Sequence, residues 1–244
     1  MTQNIYDTPE FFAAYSQLPR SVEGLDGAPE WPRLRALLPQ ITGAKVVDLG
    51  CGYGWFCRWA TQQGAASVFG LDVSQKMLDR ANASAHDPRI TYRQADLEHL
   101  ELEQSTFNLA YSSLAFHYIE DLNALLRTVH DTLLPGGKLV FSIEHPIFMA
   151  SLNPDWIVDA HGQKTWPVDH YQIEGPRSTN WLSEGVIKHH RTLGTLLNGL
   201  IGAGFTLEHV NEWGPSVEDL GARPALNDEI HRPMMLLVAA SRTA

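Results

Sequence analysis

Residues 48–54 read Asp-Leu-Gly-Cys-Gly-Tyr-Gly, the end of a short apolar run that passes directly into a helical pattern. Glycines at Gly50 and Gly52 let such a turn adopt positive φ and let a ligand approach the backbone closely. Asp72 lies 22 residues beyond Gly50, at the end of the next apolar run. A carboxylate there can accept two hydrogen bonds from a ribose diol. The two features together indicate a nucleoside-containing cofactor. A dinucleotide turn would need glycine at the sixth position of G-x-G-x-x-G, where its helix meets a pyrophosphate. Here that position is Trp55, and no G-K-[S/T] follows to make a phosphate loop. Asp48, just ahead of the first glycine, would oppose a pyrophosphate but suits a ligand carrying an ammonium and a sulfonium. Cys51 sits between the two glycines as a lining position, not as a nucleophile.

These residues need a scaffold that brings strand ends together. Lys45–Leu49, Ser67–Val73, Ile90–Asp96, Phe107–Ser112 and Lys138–Ile143 read as buried strands, with two later ones at Phe205–Val210 and Met234–Ala240. Helical spacing occupies 54–63, 74–84, 122–133 and 193–201, with Ser74 a natural N-cap and Pro135-Gly136-Gly137 a stop signal. Strands with continuous apolar interiors, alternating with helices, predict an α/β doubly wound, mostly parallel sheet covered on both faces. Ligands bind such sheets outside the carboxyl ends of the strands, at the switch point of the strand order. The Asp48–Gly54 turn falls at that place.

The chain has 244 residues, 44% hydrophobic and 19% charged, with a net charge of −10. One elaborated domain accounts for that length. Its divisions are an N-terminal cap at 1–40, a cofactor-binding core at 41–144, an insertion at 145–191, and a C-terminal helix and strands at 192–244. So acidic a surface repels phosphate backbones and anionic lipids, which argues against nucleic acid and membrane partners. No apolar run approaches the ~18 residues of a membrane helix. Two cysteines and the absence of a basic, apolar leader point to a cytoplasmic protein, monomer or homodimer.

Val46–Gly54 resembles the first motif of class I S-adenosylmethionine-dependent methyltransferases, and Gly70-Leu71-Asp72-Val73-Ser74 their second. Gln94-Ala95-Asp96-Leu97, Phe107–Tyr118 and Leu133–Leu139 match three further motifs in order. The resemblance covers about 40–145 closely and 192–240 at the level of element order. It implies a seven-stranded sheet of order 3-2-1-4-5-7-6 with the last strand antiparallel. It also implies S-adenosylmethionine as cofactor, Asp72 with Val73 at the ribose, and Asp96 and Leu97 at the adenine. Met77 is either core or packed on the adenine face. Ser112 and Leu114 would offer backbone to the methionine part, and His117 is a pocket residue or a packed histidine. Tyr15 and Arg20 in the cap could close over the cofactor, Arg20 pairing with its carboxylate; an aromatic helix packed on the sheet is the competing reading.

Methyl transfer requires a nucleophile aligned with the methyl group, and a base only where the acceptor must lose a proton. His145, after the fifth strand, and His189, before the last long helix, are the expected bases or orienting groups. Five histidines and three tryptophans fall within 145–190, a composition suited to a lid over a small organic acceptor. No metal-ligand spacing appears. The Asn/Asp-Pro-Pro-Tyr signature of several N-methyltransferases is replaced by Ser112-Ser113-Leu114-Ala115. The accepting atom stays open. The alternatives are a non-catalytic module binding S-adenosylmethionine and, less favoured by Trp55 and Asp48, a nicotinamide-dependent oxidoreductase.

Overall fold

The computed structural model describes residues 3–84 and 86–243. A cap of short helices comes first, α1 (Pro9–Tyr15), α2 (Pro19–Val22) and α3 (Trp31–Ala36). The alternating core follows as β1 (Lys45–Leu49), α4 (Trp55–Gln62), β2 (Ser67–Asp72), α5 (Gln75–Ser84), β3 (Ile90–Gln94), β4 (Phe107–Ser113), α6 (Leu122–Thr132) and β5 (Leu133–Glu144). The insertion contains α7 (Pro146–Met149) and two hairpins, β6 (Ile157–Val158) with β7 (Lys164–Thr165) and β8 (Gly175–Thr179) with β9 (Val186–His190). Then come α8 (Leu193–Gly202), β10 (Phe205–Trp213), α9 (Val217–Ala222) and β11 (Met235–Arg242).

Seven strands form the main sheet in the order β3-β2-β1-β4-β5-β11-β10. β1 to β5 are parallel, and β11 runs antiparallel to both of its neighbours. This is the doubly wound order expected from the motifs. Period-two alternation sends successive residues to opposite faces. Val46 packs with α3 and α4 side chains such as Leu34 and Phe56, whereas Val47 and Leu49 join Leu125, Leu126 and Leu196 from α6 and α8. Asp48 therefore faces α4 from beneath. Strand order reverses at β1 and β4, which opens the cleft above Gly50.

Two features differ from the sequence reading. Pro135-Gly136-Gly137 does not separate helix from strand. α6 passes straight into β5, and the glycines form an irregularity opposite Phe107 and Leu109. The insertion, irregular by sequence, is built on hairpins too short for a recognisable period. The Arg177 guanidinium knits it together, donating to the carbonyls of Ala150, His170 and Ile173. Among the described residues no helix is long and apolar enough to cross a membrane.

Candidate active site

The glycine turn is fastened to the neighbouring strand, since the amides of Gly50 and Cys51 both donate to Leu71 O at 2.8 Å. Gly50 has φ +79°, and a Cβ there would lie 2.5 Å from Ala115 Cβ. Gly52 has φ +52°, yet a Cβ there would meet no heavy atom of the described residues within 4 Å. The first glycine is required by packing. The second faces open space, where a ligand can lie against the backbone.

Asp72 closes this corner. Its Oδ2 accepts from the Gly52 amide at 2.8 Å and its Oδ1 from the Ser74 amide at 2.9 Å. Burial pushes its carboxyl up to about 6, although the backbone amides pull the other way. Each oxygen keeps a lone pair, so a diol can bind across both. Asp96 caps a 3-10 turn by accepting from the Glu98 amide at 3.0 Å, with the buried Leu97 beside it. Val73, Met77, Asp96 and Leu97 line a cleft of about 980 Å³ together with Gly50, Gly52 and Asp72.

The roof of that cleft comes from distant sequence. Asp7 Oδ1 accepts from the Ser74 hydroxyl at 2.5 Å and the Lys76 amide at 3.2 Å, which pins the N-terminal segment to the loop after β2. Gln3 brackets β9, donating to Gly185 O at 2.8 Å and accepting from the Ile187 amide at 2.9 Å. Tyr6 packs edge to face against Phe11 and Tyr15, which stack on each other, and Trp181 of the insertion meets Phe11 and Tyr15 edge-on. Tyr15 is a packed aromatic and also lines the cleft.

A second cavity, about 630 Å³, lies under the cap and shares Tyr15, Arg20, Gly50, Gly52 and Ser113 with the cleft. Asp48 lines it, fully buried, accepting from the Cys57 thiol at 3.1 Å; burial pushes its carboxyl up to about 7. Arg20 enters from above with Nη2 on both oxygens of Glu30, at 2.9 and 3.1 Å. The hydroxyl of Ser21 is buried at this cavity without a hydrogen-bond partner among the described residues. A zwitterionic amino-acid group matches this mixture of acid, guanidinium and hydroxyl. Cys51 lines this second cavity and not the cleft, and burial pushes its thiol up to about 11, which keeps it inert as a nucleophile.

Three expected positions are not among the residues that line the cavities. Ser112 is fully buried with its hydroxyl on Leu49 O at 2.7 Å; the next residue, Ser113, lines the cleft. His145 lines none of the three cavities. Its Nδ1 accepts from the Ile147 amide at 3.1 Å, capping α7, and its Nε2 meets Glu212 Oε1 at 2.9 Å. His189 also lies outside all three, because alternation along β9 buries Val186, Lys188 and His190 and turns His189 to the opposite face. Leu114 and His117 do line the cleft. Leu114 holds φ +53°, and burial drives the His117 imidazole down to about 4, so it is neutral at pH 7.

The residues that sequence reasoning missed are Glu144 and Lys188. Lys188 Nζ donates to Glu144 Oε1 at 2.5 Å and stands 5.0 Å from the Trp181 ring, its side chain only 4% exposed. His117 Nε2 is 4.0 Å from the same carboxylate. The pair stands where the cleft meets a third cavity of about 1900 Å³ between the cap and the insertion. Both are lined by Arg20, Leu114, Glu144 and Trp181.

Residues 47–141 match the family model described as a methyltransferase domain. The crystal structure of an S-adenosylmethionine-dependent methyltransferase from Mesorhizobium loti is 59% identical, with a TM-score of 0.87 over 90% of this chain and 100% of that one. The chain belongs to the S-adenosylmethionine-dependent methyltransferases. A second crystal structure, of a methyltransferase of this dependence from Listeria monocytogenes, is 38% identical with a TM-score of 0.82, over 89% of this chain and 99% of that one. Malonyl-[acyl-carrier protein] O-methyltransferase of Pectobacterium atrosepticum is 34% identical across 124 residues, 51% of this chain and 48% of that protein. The methyltransferase uses S-adenosylmethionine, and the residues present fit it: a diol acceptor at Asp72, an open approach at Gly52, and the buried Ser21 hydroxyl in the cavity lined by Arg20 and Asp48.

Proposed function

We propose that this methyltransferase acts on a small organic acceptor that enters by the third cavity and meets the cofactor cleft at Leu114, Glu144 and Trp181. The observation that carries this reading is the set of wall residues common to the two cavities. S-adenosylmethionine, when bound, supplies an electrophilic methyl group on a sulfonium. Asp72 holds the ribose diol, Asp96 and Leu97 the adenine edge, and Met77 packs on its face. Arg20 takes the amino-acid carboxylate and Asp48 favours its ammonium. Tyr6, Tyr15 and Trp181 exclude water, so that proximity and orientation supply much of the rate. The net charge of −10 supports a small acceptor over nucleic acid.

Ser178→Trp places an indole in the third cavity on an exposed strand position. With methyl-labelled S-adenosylmethionine and a filtered small-metabolite extract, the wild type labels a low-mass product. The variant binds S-adenosylhomocysteine normally and loses that product. Equal labelling by both proteins would overturn this entry route.

A further inference from the structure

We infer that the acceptor is an amphipathic carboxylate, anchored through Lys188 where the outer cavity meets the cofactor cleft. This rests on the entry route proposed above.

Lysine is almost never buried without a partner or a task. Lys188 stands at a position that β9 alternation turns inward, between Val186 and His190, in a cavity whose walls include Leu18, Phe148, Met149 and Met234. Its ammonium carries three donors, of which Glu144 takes one. Glu144 does not belong to Lys188 alone, since His117 also approaches it. The inner end of a cavity that is apolar along these side chains, with Asn153, Asp155 and Asn180 also in its walls, thus presents a cation with donors to spare. An apolar body topped by an oxyanion complements both parts.

The chemistry of the reacting end selects among head groups. An alcohol or an ammonium must lose its proton before or during transfer, which calls for a base of matching strength. Burial opposes ionisation of Glu144, but His117 and Lys188 hold its carboxyl below the usual range, so it is a weak base. The buried His117 imidazole is weaker than an ordinary histidine. His145 and His189 lie outside the cleft. A carboxylate at neutral pH has no proton to lose. The bond formed joins its oxygen to the methyl carbon, the bond broken joins that carbon to sulfur, and the electron pair of the broken bond stays on sulfur. The products are a methyl ester and a neutral thioether, with no proton released.

The test measures binding of decanoate, decanol and decylamine to the protein loaded with S-adenosylhomocysteine, by thermal shift and calorimetry. Decanoate is expected to bind best. Lys188→Met should weaken decanoate about tenfold or more, the value of one charge-assisted hydrogen bond. Lys188→Arg should restore most of it, and decanol should respond to neither change. Each ligand shift is read against the same variant without ligand, and Lys188→Met/Glu144→Gln, which leaves no unpaired charge, supplies a second folded background. Decanoate turnover to a methyl ester completes the positive result. Preference for decanol or decylamine, no binding of decanoate, or equal decanoate affinity in wild type and Lys188→Met would overturn the inference. If Ser178→Trp still blocks the ligands in that last case, the entry route stands and only the carboxylate anchor falls. If Ser178→Trp blocks nothing that binds, the entry route itself is wrong.

Discussion

The Gly52 amide donates to Asp72 Oδ2 at 2.8 Å, so the turn after β1 aims the acid at the end of β2. Because burial pushes that acid up to about 6, a diol that needs the carboxylate competes with a proton just below neutrality. Affinity for S-adenosylhomocysteine should be flat well above pH about 6 and fall as pH drops through it, approaching tenfold per pH unit, until the lower pKa of the liganded carboxyl is reached. Asp72→Asn should bind weakly with no such slope. Calorimetry across that range decides it; a wild-type dissociation constant unchanged on acidification would remove Asp72 from the ribose.

The two glycines of the turn separate packing from binding. Alanine in a left-handed conformation costs about 1–2 kcal/mol. Gly52→Ala has only that cost, because its methyl meets no atom of the described residues within 4 Å, whereas Gly50→Ala must also displace Ala115 from 2.5 Å. Gly52→Ala should melt only about 2–8 °C lower yet lose most of its cofactor affinity. Gly50→Ala should melt lower still. Wild-type cofactor affinity in Gly52→Ala would show that no ligand lies against that backbone.

Asp48 gives the unliganded protein an inverted acid response. An acid whose pKa is raised by folding, here to about 7 through burial, binds its proton more tightly when folded. Stability from this group is therefore full below the unfolded value near 4 and is lost as pH rises through about 7. Asp72 adds to the same slope. Glu144 and Asp7, held below the usual range, act in the opposite sense but only at more acid pH. Asp48→Asn keeps an acceptor for the Cys57 thiol and should be more stable than wild type at pH ~8, by at most about 4 kcal/mol, with the gain vanishing near pH ~4. Thermal denaturation against pH tests this, and an equal difference at both ends would mean that Asp48 is ionised throughout.

The cofactor half was legible because its signals are local. The glycines, Asp72 and Asp96 each close a strand whose apolar run is visible in sequence, and strand ends converge in any doubly wound sheet. The acceptor half depends on pairings that no local pattern announces. Glu144 and Lys188 meet across 44 residues, through a hairpin of five-residue strands. In Lys188-His189-His190 the side chain that enters the cavity is set by a strand phase that three polar residues in a row conceal. The same one-residue phase separates Ser112, on Leu49 O, from Ser113 in the cleft.

His145 shows how position near a strand end can mislead. It follows β5 directly, yet its ring turns back to cap α7 and to meet Glu212. For Nδ1 to accept from the Ile147 amide, the ring proton must sit on Nε2, where it donates to the Glu212 carboxylate. Burial lowers the pKa against the pull of Glu212. His145→Ala should cost about 1 kcal/mol for the lost cap, with more from the vacated space. Cofactor affinity and kcat should stay at the wild-type value. His145→Asn, which can cap, should recover most of the stability. The decisive comparison is kcat against melting temperature across the two variants. A kcat that collapsed in both while the asparagine variant kept its melting temperature would return His145 to the chemistry, and would require the insertion to open so that its ring could reach the cleft.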